Sequence, residues 1–177
     1  MLAAAKGKIA EQGTWIKERR ERIAAGTGSR ADGDSFAGDP RGWFGRQMRA
    51  AWLEIGFGGG EHMIHQAAGN PDVGIIGCEP YINGVAKLLG QLRDSHVENV
   101  AIHPGDVRDM FDVLPDASIA RAFLLYPDPW PKKRHHKRRL IQHEFVQRLR
   151  HKLRVGGVLH LATDWQEYAE QMLEVLS

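Results

Sequence analysis

The chain has 177 residues, of which 42% are hydrophobic and 26% charged, ordinary values for one globular domain. A single cysteine, Cys78, excludes an internal disulfide framework and a multi-cysteine metal site, which favours a reducing cytoplasm. No apolar run approaches the ~20 residues that span a bilayer, and Met1–Lys8 is not followed by the apolar stretch of a secretory signal.

The first 48 residues are predicted to be an extension of the folded domain. Trp15–Ile23 has the pattern of a charged helix, which flanking glycines weaken. Gly26–Gly42 is rich in glycine and aspartate and has almost nothing to bury, as is typical of a flexible linker. We therefore expect a helical and flexible extension over residues 1–48 and one domain over residues 49–177.

From Arg49 onward, short apolar runs alternate with helical patterns. The runs predicted to be buried strands are Ala51–Phe57, Val73–Cys78, Val100–His103, Ile119–Tyr126 and Val158–Ala162. The predicted helices run from Glu61 to Ala68, along Val85–Leu92, along the stripe Ile141–Leu153 until Gly156-Gly157 stops it, and from Trp165 to Leu176. This alternation predicts an α/β fold with a parallel sheet and helices on both faces. Such sheets bind ligands at the carboxyl ends of their strands.

The first predicted strand leads into the glycine-rich sequence Glu54-Ile-Gly56-Phe-Gly58-Gly-Gly60. Glycines let the backbone turn tightly and approach a ligand at a helix N-terminus, where amides attract negative groups. A dinucleotide fingerprint would need a glycine where Glu61 stands, so NAD is disfavoured. Glu54, two places before the first glycine, instead suits a cationic amino or sulfonium group. A purely structural glycine turn is the alternative interpretation.

Acidic residues also follow the second and third predicted strands. Glu79 comes about twenty residues after the glycine loop, where an acid can accept from both hydroxyls of a ribose. Asp106 follows Gly105 and is placed to accept from an adenine amino group. Each acid alone is more often a turn or cap residue than a ligand. Together with Glu54, however, they outline a nucleoside with an amino-acid tail, which fits S-adenosylmethionine.

The fourth predicted strand leads into Tyr126-Pro-Asp128-Pro-Trp130 and a basic continuation. Between Trp130 and Arg154 lie ten of the 24 lysines and arginines but only one of the 22 acidic residues. Two prolines hold the Asp128 carboxylate on a stiff loop, Trp130 offers a stacking face for a base, and the cations suit phosphates. The whole segment predicts contact with a nucleic acid, although core packing for Trp130 and a solvated helix face for the cations are the alternatives.

Five motifs resemble the bacterial tRNA (guanine-N7-)-methyltransferase family, in that family's order. They are Trp52-Leu-Glu-Ile-Gly-Phe-Gly-Gly-Gly60, Gly77-Cys-Glu-Pro80, Gly84-Val-Ala-Lys87, Pro127-Asp-Pro-Trp-Pro-Lys-Lys-Arg134 and Ala162-Thr-Asp164. The proline–aspartate–proline–tryptophan segment is specific to that family, whereas the glycine loop is general to methyltransferases. The resemblance implies a Rossmann-like SAM-dependent methyltransferase fold. Because the family continues beyond its fifth strand, we expect the last two of its usual seven strands, and a Thr-x-Phe-Glu segment, to be missing here.

The resemblance also implies roles for single residues. Those expected to contact S-adenosylmethionine are Glu54, Gly56, Gly58, Glu79, Asp106 and Asp128, with Asp128 also catalytic. Those expected to contact guanine or nearby tRNA are Lys132, Arg134 and Asp164. The implied activity is methyl transfer to N7 of guanine 46 in the tRNA variable loop. A tRNA- or cofactor-binding remnant without turnover is the alternative, and a methyltransferase of a protein or small molecule is a third that the basic segment disfavours.

No metal site is predicted. Glu61, His62 and His65 could suggest one, but two histidines at i, i+3 without further ligand spacing are more typical of a helix face. Cys78 is predicted to be a small buried side chain and not a nucleophile.

Overall fold

Five parallel strands in the order β3-β2-β1-β4-β5 form the sheet of the computed structural model, which describes residues 38–177. The strands are β1 (Ala50–Ile55), β2 (Val73–Cys78), β3 (Val100–His103), β4 (Ile119–Leu125) and β5 (Leu153–Ala162). The helices are α1 (Glu61–Gly69), α2 (Ile82–Asp94), α3 (Val107–Val113), α4 (His143–Lys152) and α5 (Gln166–Leu176), with short 3-10 helices at Pro40–Gly42 and Lys133–Arg138. The predicted α/β fold with a parallel sheet is confirmed.

The sheet separates two hydrophobic cores, because successive residues of a strand point to opposite faces. Leu53 and Ile55 of β1 join a core that α3, α4 and α5 cover, whereas Trp52 joins a core that α1 and α2 cover. All six residues of β1 and all six of β2 are buried, as expected of central parallel strands. Helices therefore lie on both faces, and the carboxyl ends of the strands meet along one edge.

The predicted extension is only partly within the described residues. The predicted helix at Trp15–Ile23 lies outside them. Just before residue 49, however, Phe44 packs against β2, where a Cβ at Gly74 would lie 2.0 Å from the Phe44 ring. The chain thus contacts the sheet before β1 begins. Within residues 38–177, no helix combines the length and apolarity needed to cross a membrane.

The prediction that the Ile141–Leu153 helix continues to Gly156-Gly157 is wrong. Helix α4 ends at Lys152, and Leu153 adopts extended dihedral angles (φ −72°, ψ 131°) and pairs with Ile119 of β4. The pairing then jumps, since Arg121 lies opposite Val158. The glycines, with Gly156 at φ +74°, therefore allow an irregularity inside β5 and do not stop a helix.

Helix α3 was not predicted. Its seven residues are too few for a clear period, yet Val107, Met110, Phe111 and Val113 are all buried. The Asp106 side chain caps the helix by accepting from the Arg108 amide. This short helix lies directly after the third strand and thereby forms one wall of the site described next.

Candidate functional site

A cleft of about 500 Å³ opens at the carboxyl edge of the sheet. Its walls come from the ends of β1, β2 and β4, the start of α3 and the basic segment. Six of its lining residues carry the argument below: Gly56, Glu79, Asp106, Asp128, Trp130 and Arg138. The sequence predicted cofactor contacts for four of these, so the fold brings most of the predicted cofactor residues to one place.

The glycine loop after β1 has a backbone that other residues would strain. Gly56, Gly58 and Gly60 have φ angles of +69°, +55° and +83°. A Cβ at Gly56 or Gly58 would meet no heavy atom within 4 Å, so the loop presents bare backbone to open space. At Gly60, in contrast, a Cβ would lie 2.5 Å from Leu88 Cδ1 of α2. The loop is therefore packed on one side and open on the other.

Glu79 holds the glycine loop through a hydrogen bond. Its two carboxylate oxygens accept from the amides of Gly58, at 2.7 Å, and Tyr81, at 2.8 Å. The residue is 5% exposed and lines the cleft. A carboxylate has about four lone-pair sites, so Glu79 keeps acceptor capacity for two hydroxyl donors in the cleft.

Glu54 does not lie at a strand end like the other predicted acids. It stands inside β1 on the face of α1, is 3% exposed, and is not a lining residue of the cleft. His62 Nδ1 donates to Glu54 Oε2 at 2.8 Å. Burial raises the pKa of the Glu54 carboxyl, and the hydrogen bond from His62 opposes that rise. This contact explains His62, which the sequence indicated only as part of a helix face.

Asp106 lines the cleft and also stabilises the N-terminus of α3. One carboxylate oxygen caps α3 through the Arg108 amide, and the other accepts from the Arg108 guanidinium at 2.7 Å. The cap role, which the sequence analysis kept open as an alternative, is therefore present. The predicted contact with an adenine amino group stays a prediction.

The loop Tyr126–Trp130 is strained at both ends. Tyr126 and Trp130 have φ angles of +52° and +43°, in the left-handed region that non-glycine residues rarely adopt. Such residues cost on the order of 1–3 kcal/mol each and persist where surrounding contacts hold them. Asp128 lies between them, is exposed, and lines the cleft. The sequence showed stiffness from the two prolines but gave no sign of this strain.

Trp130 lies beside the cleft with part of its ring already covered. The Arg138 guanidinium lies over the ring at 4.9 Å from its centroid, and the His135 ring meets it edge-on at 5.8 Å. Cation–π contacts of this kind stabilise the ring position. A base that stacks on Trp130 would have to use the ring surface that Arg138 leaves free.

The basic segment, the stretch from Trp130 to Arg154, contains exposed cations and cations that are paired with aspartates or buried. Those exposed around the 3-10 helix are Lys132, Lys133, Arg134, Lys137 and Arg138. On α4, Arg148 and Lys152 pair with Asp112 and Asp116 at 2.7 Å each. Arg139, one of the ten cations counted between Trp130 and Arg154, is 2% exposed and so is not available to a phosphate. A run of like charge gives no sign of which member turns inward.

The three residues predicted to contact guanine or tRNA lie outside the cleft lining. Lys132 and Arg134 are exposed on the segment that borders the cleft. Asp164 is exposed just after β5, at the same edge of the sheet. Cys78 is buried at the end of β2, and burial raises the pKa of its thiol, as expected of an inert side chain. Among residues 38–177 no cluster of three or more metal-type side chains could hold an ion.

The chain matches a family model described as "Putative methyltransferase" over residues 48–177. A "tRNA (guanine-N(7)-)-methyltransferase" of Ruegeria pomeroyi is 63% identical over 126 residues, which are 71% of this chain and 53% of that protein. The protein of the same name from Caulobacter vibrioides is 52% identical over 128 residues, 72% of this chain and 57% of that protein. The chain thus spans about half the length of the curated relatives it matches.

Solved structures show the same fold at low sequence identity. A precorrin-6y C5,15-methyltransferase from Geobacter metallireducens superposes with a TM-score of 0.60 at 18% identity, over 75% of this chain and 64% of that one. The human methyltransferase-like protein 13, in complex with SAH, gives a TM-score of 0.54 at 18% identity over 72% and 61%. The expected Rossmann-like methyltransferase fold is confirmed.

Proposed function

This chain belongs to the methyltransferase family whose model matches residues 48–177, and from that premise we propose that it transfers the methyl group of S-adenosylmethionine to N7 of guanine 46 in the tRNA variable loop. One observation carries the proposal. The carboxylates of Glu79, Asp106 and Asp128 line a single cleft together with Trp130 and Arg138, and four further exposed cations lie on the same segment as these last two residues. The name that the matched relatives share agrees with this chemistry. Its place of action would be the cytoplasm.

The cleft fits the cofactor by its donor and acceptor chemistry. Glu79 would accept from the ribose hydroxyls and Asp106 from the adenine amino group. The open glycine loop at Gly56 and Gly58 leaves room for the amino-acid tail, whose ammonium group Glu54 would balance from inside β1. When bound, S-adenosylmethionine supplies an electrophilic sulfonium methyl group.

Alignment is the main requirement of the reaction. Guanine N7 carries a lone pair on the exposed edge of the base, so no strong base is needed before the methyl transfer. Positioning of this kind can supply ~7–11 kcal/mol of a barrier. Asp128, on its strained loop, would orient the methyl donor and favour the positive charge that develops on the guanine ring. Asp164 would accept from guanine N1 and the exocyclic amine, which favours guanine over adenine.

The exposed cations would bind the tRNA backbone. Lys132 and Arg134 lie within six residues of Asp128 in the sequence and would hold the nucleotides around the target base. If the five exposed cations each neutralised one phosphate, the logarithm of affinity would fall with the logarithm of salt concentration with a slope of about −4.5 on the duplex coefficient.

The Asp128→Ala variant tests the proposed role of the cleft. It should form no 7-methylguanosine in unmodified tRNA, while its melting temperature stays that of the wild type, because Asp128 is exposed. The matched control is Asp116→Ala, which removes an exposed aspartate paired with Lys152 away from the cleft. Near-normal methylation by Asp128→Ala would refute the assignment. Wild-type chain that binds tRNA but transfers no methyl group would instead support the remnant interpretation.

A further inference from the structure

Arg139 is a buried arginine that directly follows the 3-10 helix Lys133–Arg138. Its side chain is 1% exposed. The guanidinium donates from Nε to the Pro129 carbonyl at 2.7 Å and from Nη1 to Gln171 Oε1 of α5 at 2.7 Å. Nη2 lies 3.0 Å from His136 Nε2, and the group lies over the Tyr168 ring at 5.0 Å. Arg139 thus contacts the Asp128 loop, the basic 3-10 helix and α5 at once.

These contacts are unusual for a buried cation. A buried charge costs several kcal/mol in desolvation unless it is paired and hydrogen-bonded. Arg139 Nη2 lies 3.9 Å from Glu167 Oε2, a long ion pair whose carboxylate is half exposed. Neutral acceptors and an aromatic face therefore provide most of the compensation. Such an arrangement is a poor way to gain stability and a good way to fix geometry, because the guanidinium is a rigid planar fork.

The Arg139 guanidinium fixes the position of the strained loop Tyr126–Trp130. Pro129, whose carbonyl Arg139 holds, lies between Asp128 and Trp130, and the φ angles at Tyr126 and Trp130 are both left-handed. Strain of this kind persists only where surrounding contacts hold it. On the other side, Arg139 holds α5, which begins two residues after Asp164.

We propose that Arg139 is a positioning residue for methyl transfer, which sets the Asp128 loop relative to α5 and hence to Asp164. The inference rests on the proposed roles of these two aspartates. Arg139 does not line the cleft and would itself touch neither the cofactor nor tRNA. It acts by holding the Asp128 loop and Asp164 at a fixed distance from each other. A displacement of about 1 Å between reacting groups can lower the rate roughly 100-fold.

The Arg139→Lys variant tests this role, because lysine keeps the charge but cannot reach three partners as a planar fork. We expect kcat to fall about 100-fold, while KM for tRNA and Kd for S-adenosylhomocysteine stay unchanged. The matched control is Arg121→Lys, since the Arg121 guanidinium also lies over an aromatic ring, Trp52, at 4.6 Å but outside the cleft lining. Equal loss in both variants, or a change in KM alone, would overturn the proposal.

A second variant separates positioning from folding. Gln171→Met removes the α5 acceptor of Arg139 and should lower kcat in the same direction. Combined with Arg139→Lys, it should add little to the loss of kcat, because both changes break the contact between Arg139 and α5. The hydrogen bond that Gln171 Nε2 also donates to the Ile141 carbonyl is lost in the single and in the double variant alike. Losses that multiply in the double variant would show that the two residues act independently, which contradicts the proposal.

Amide exchange makes the inference testable even if the proposed activity fails. The Tyr126 amide donates to the Ala162 carbonyl at 2.8 Å. We expect this amide to exchange faster in Arg139→Lys than in the wild type, while the β1 amides exchange at the wild-type rate. A wild-type chain that forms no 7-methylguanosine would refute the proposed function alone. An unchanged Tyr126 exchange rate would refute the role of Arg139.

Discussion

Substitution of Gly84 by alanine should displace the glycine loop at the proposed cofactor cleft. Gly84 lies in the first turn of α2, and an added Cβ would lie 2.3 Å from the Gly58 carbonyl oxygen and 3.2 Å from Glu79 Cγ. The first of these neighbours is backbone, so a rotamer change cannot relieve the overlap. The glycine loop has to move away from α2, and the hydrogen bond from the Gly58 amide to Glu79 has to lengthen or break.

The size of the effect follows from two opposing terms. Alanine in place of glycine within a helix gains about 0.5–1 kcal/mol. Overpacking costs typically about 1–3 kcal/mol, and the upper end applies because the contact involves backbone. The net loss of unfolding free energy should therefore be about 2 kcal/mol, or roughly 6 °C in melting temperature for a domain of this size.

The same helix offers a matched control. At Gly90 an added Cβ would meet no heavy atom within 4 Å, so Gly90→Ala should only gain the helix-propensity term and become more stable. Thermal unfolding and calorimetric titration with S-adenosylhomocysteine measure both consequences. Gly84→Ala should be less stable and bind weakly, whereas Gly90→Ala should bind like the wild type. Equal stability and equal affinity in the two variants would refute the reasoning about the glycine loop.

Three further predictions concern the basic segment and the core. Lys132→Ala should weaken tRNA binding and reduce by about 1 the slope of the logarithm of affinity against the logarithm of salt concentration, measured by titration at several salt concentrations. The control is Lys87→Ala on α2, and an equal slope in the two variants would contradict this prediction. Tyr168→Phe should lower the unfolding free energy in urea by about 1–3 kcal/mol, because the buried hydroxyl accepts from the Ile141 amide at 3.1 Å; an unchanged midpoint would contradict it. Burial lowers the pKa of His103 below its usual 6.5, so on acidification the unfolded chain takes up a proton before the folded chain does. The contribution of the buried neutral imidazole to stability is therefore present above pH 6.5 and is lost as the pH falls below that value. The loss of stability on acidification should thus be smaller in His103→Gln, and equal pH profiles would contradict the cause.

The strands were predictable because buried parallel strands are nearly continuous apolar runs. The bounds of β2 and β3 agree with the sequence prediction, and β4 differs by one residue. Leu153 was not predictable in the same way. It continues the apolar helical stripe of Leu149 and also fits an apolar strand position, so periodicity cannot decide between the two. The pairing of Leu153 with Ile119 decides it, and this long-range contact has no local sequence signal.

The cleft was largely predictable because the carboxyl ends of parallel strands meet at one edge. Glu79, Asp106 and Asp128 each follow a strand, and the fold brings them together. Glu54 differs because it lies within β1, where strand alternation turns it towards α1 and His62. Alternation alone could have shown that Glu54 shares a face with Trp52.

Arg139 could not be distinguished from its neighbours by charge. The segment Lys132–Arg139 contains six lysines and arginines, and only the packing of α5 shows that the last one is buried. The apolar pair Leu140-Ile141 that follows was the one local sign that the chain turns inward here. A basic run therefore predicts a nucleic-acid surface better than it predicts the role of each cation.

The most direct test of the proposed function is to identify the methylated nucleoside. The purified chain is incubated with methyl-labelled S-adenosylmethionine and unmodified tRNA, and the tRNA is then digested to nucleosides. A second tRNA, identical except that guanine 46 is replaced by adenine, serves as the control. We predict labelled 7-methylguanosine from the first tRNA and none from the second. No label in either tRNA, or equal label in both, would contradict the proposed activity.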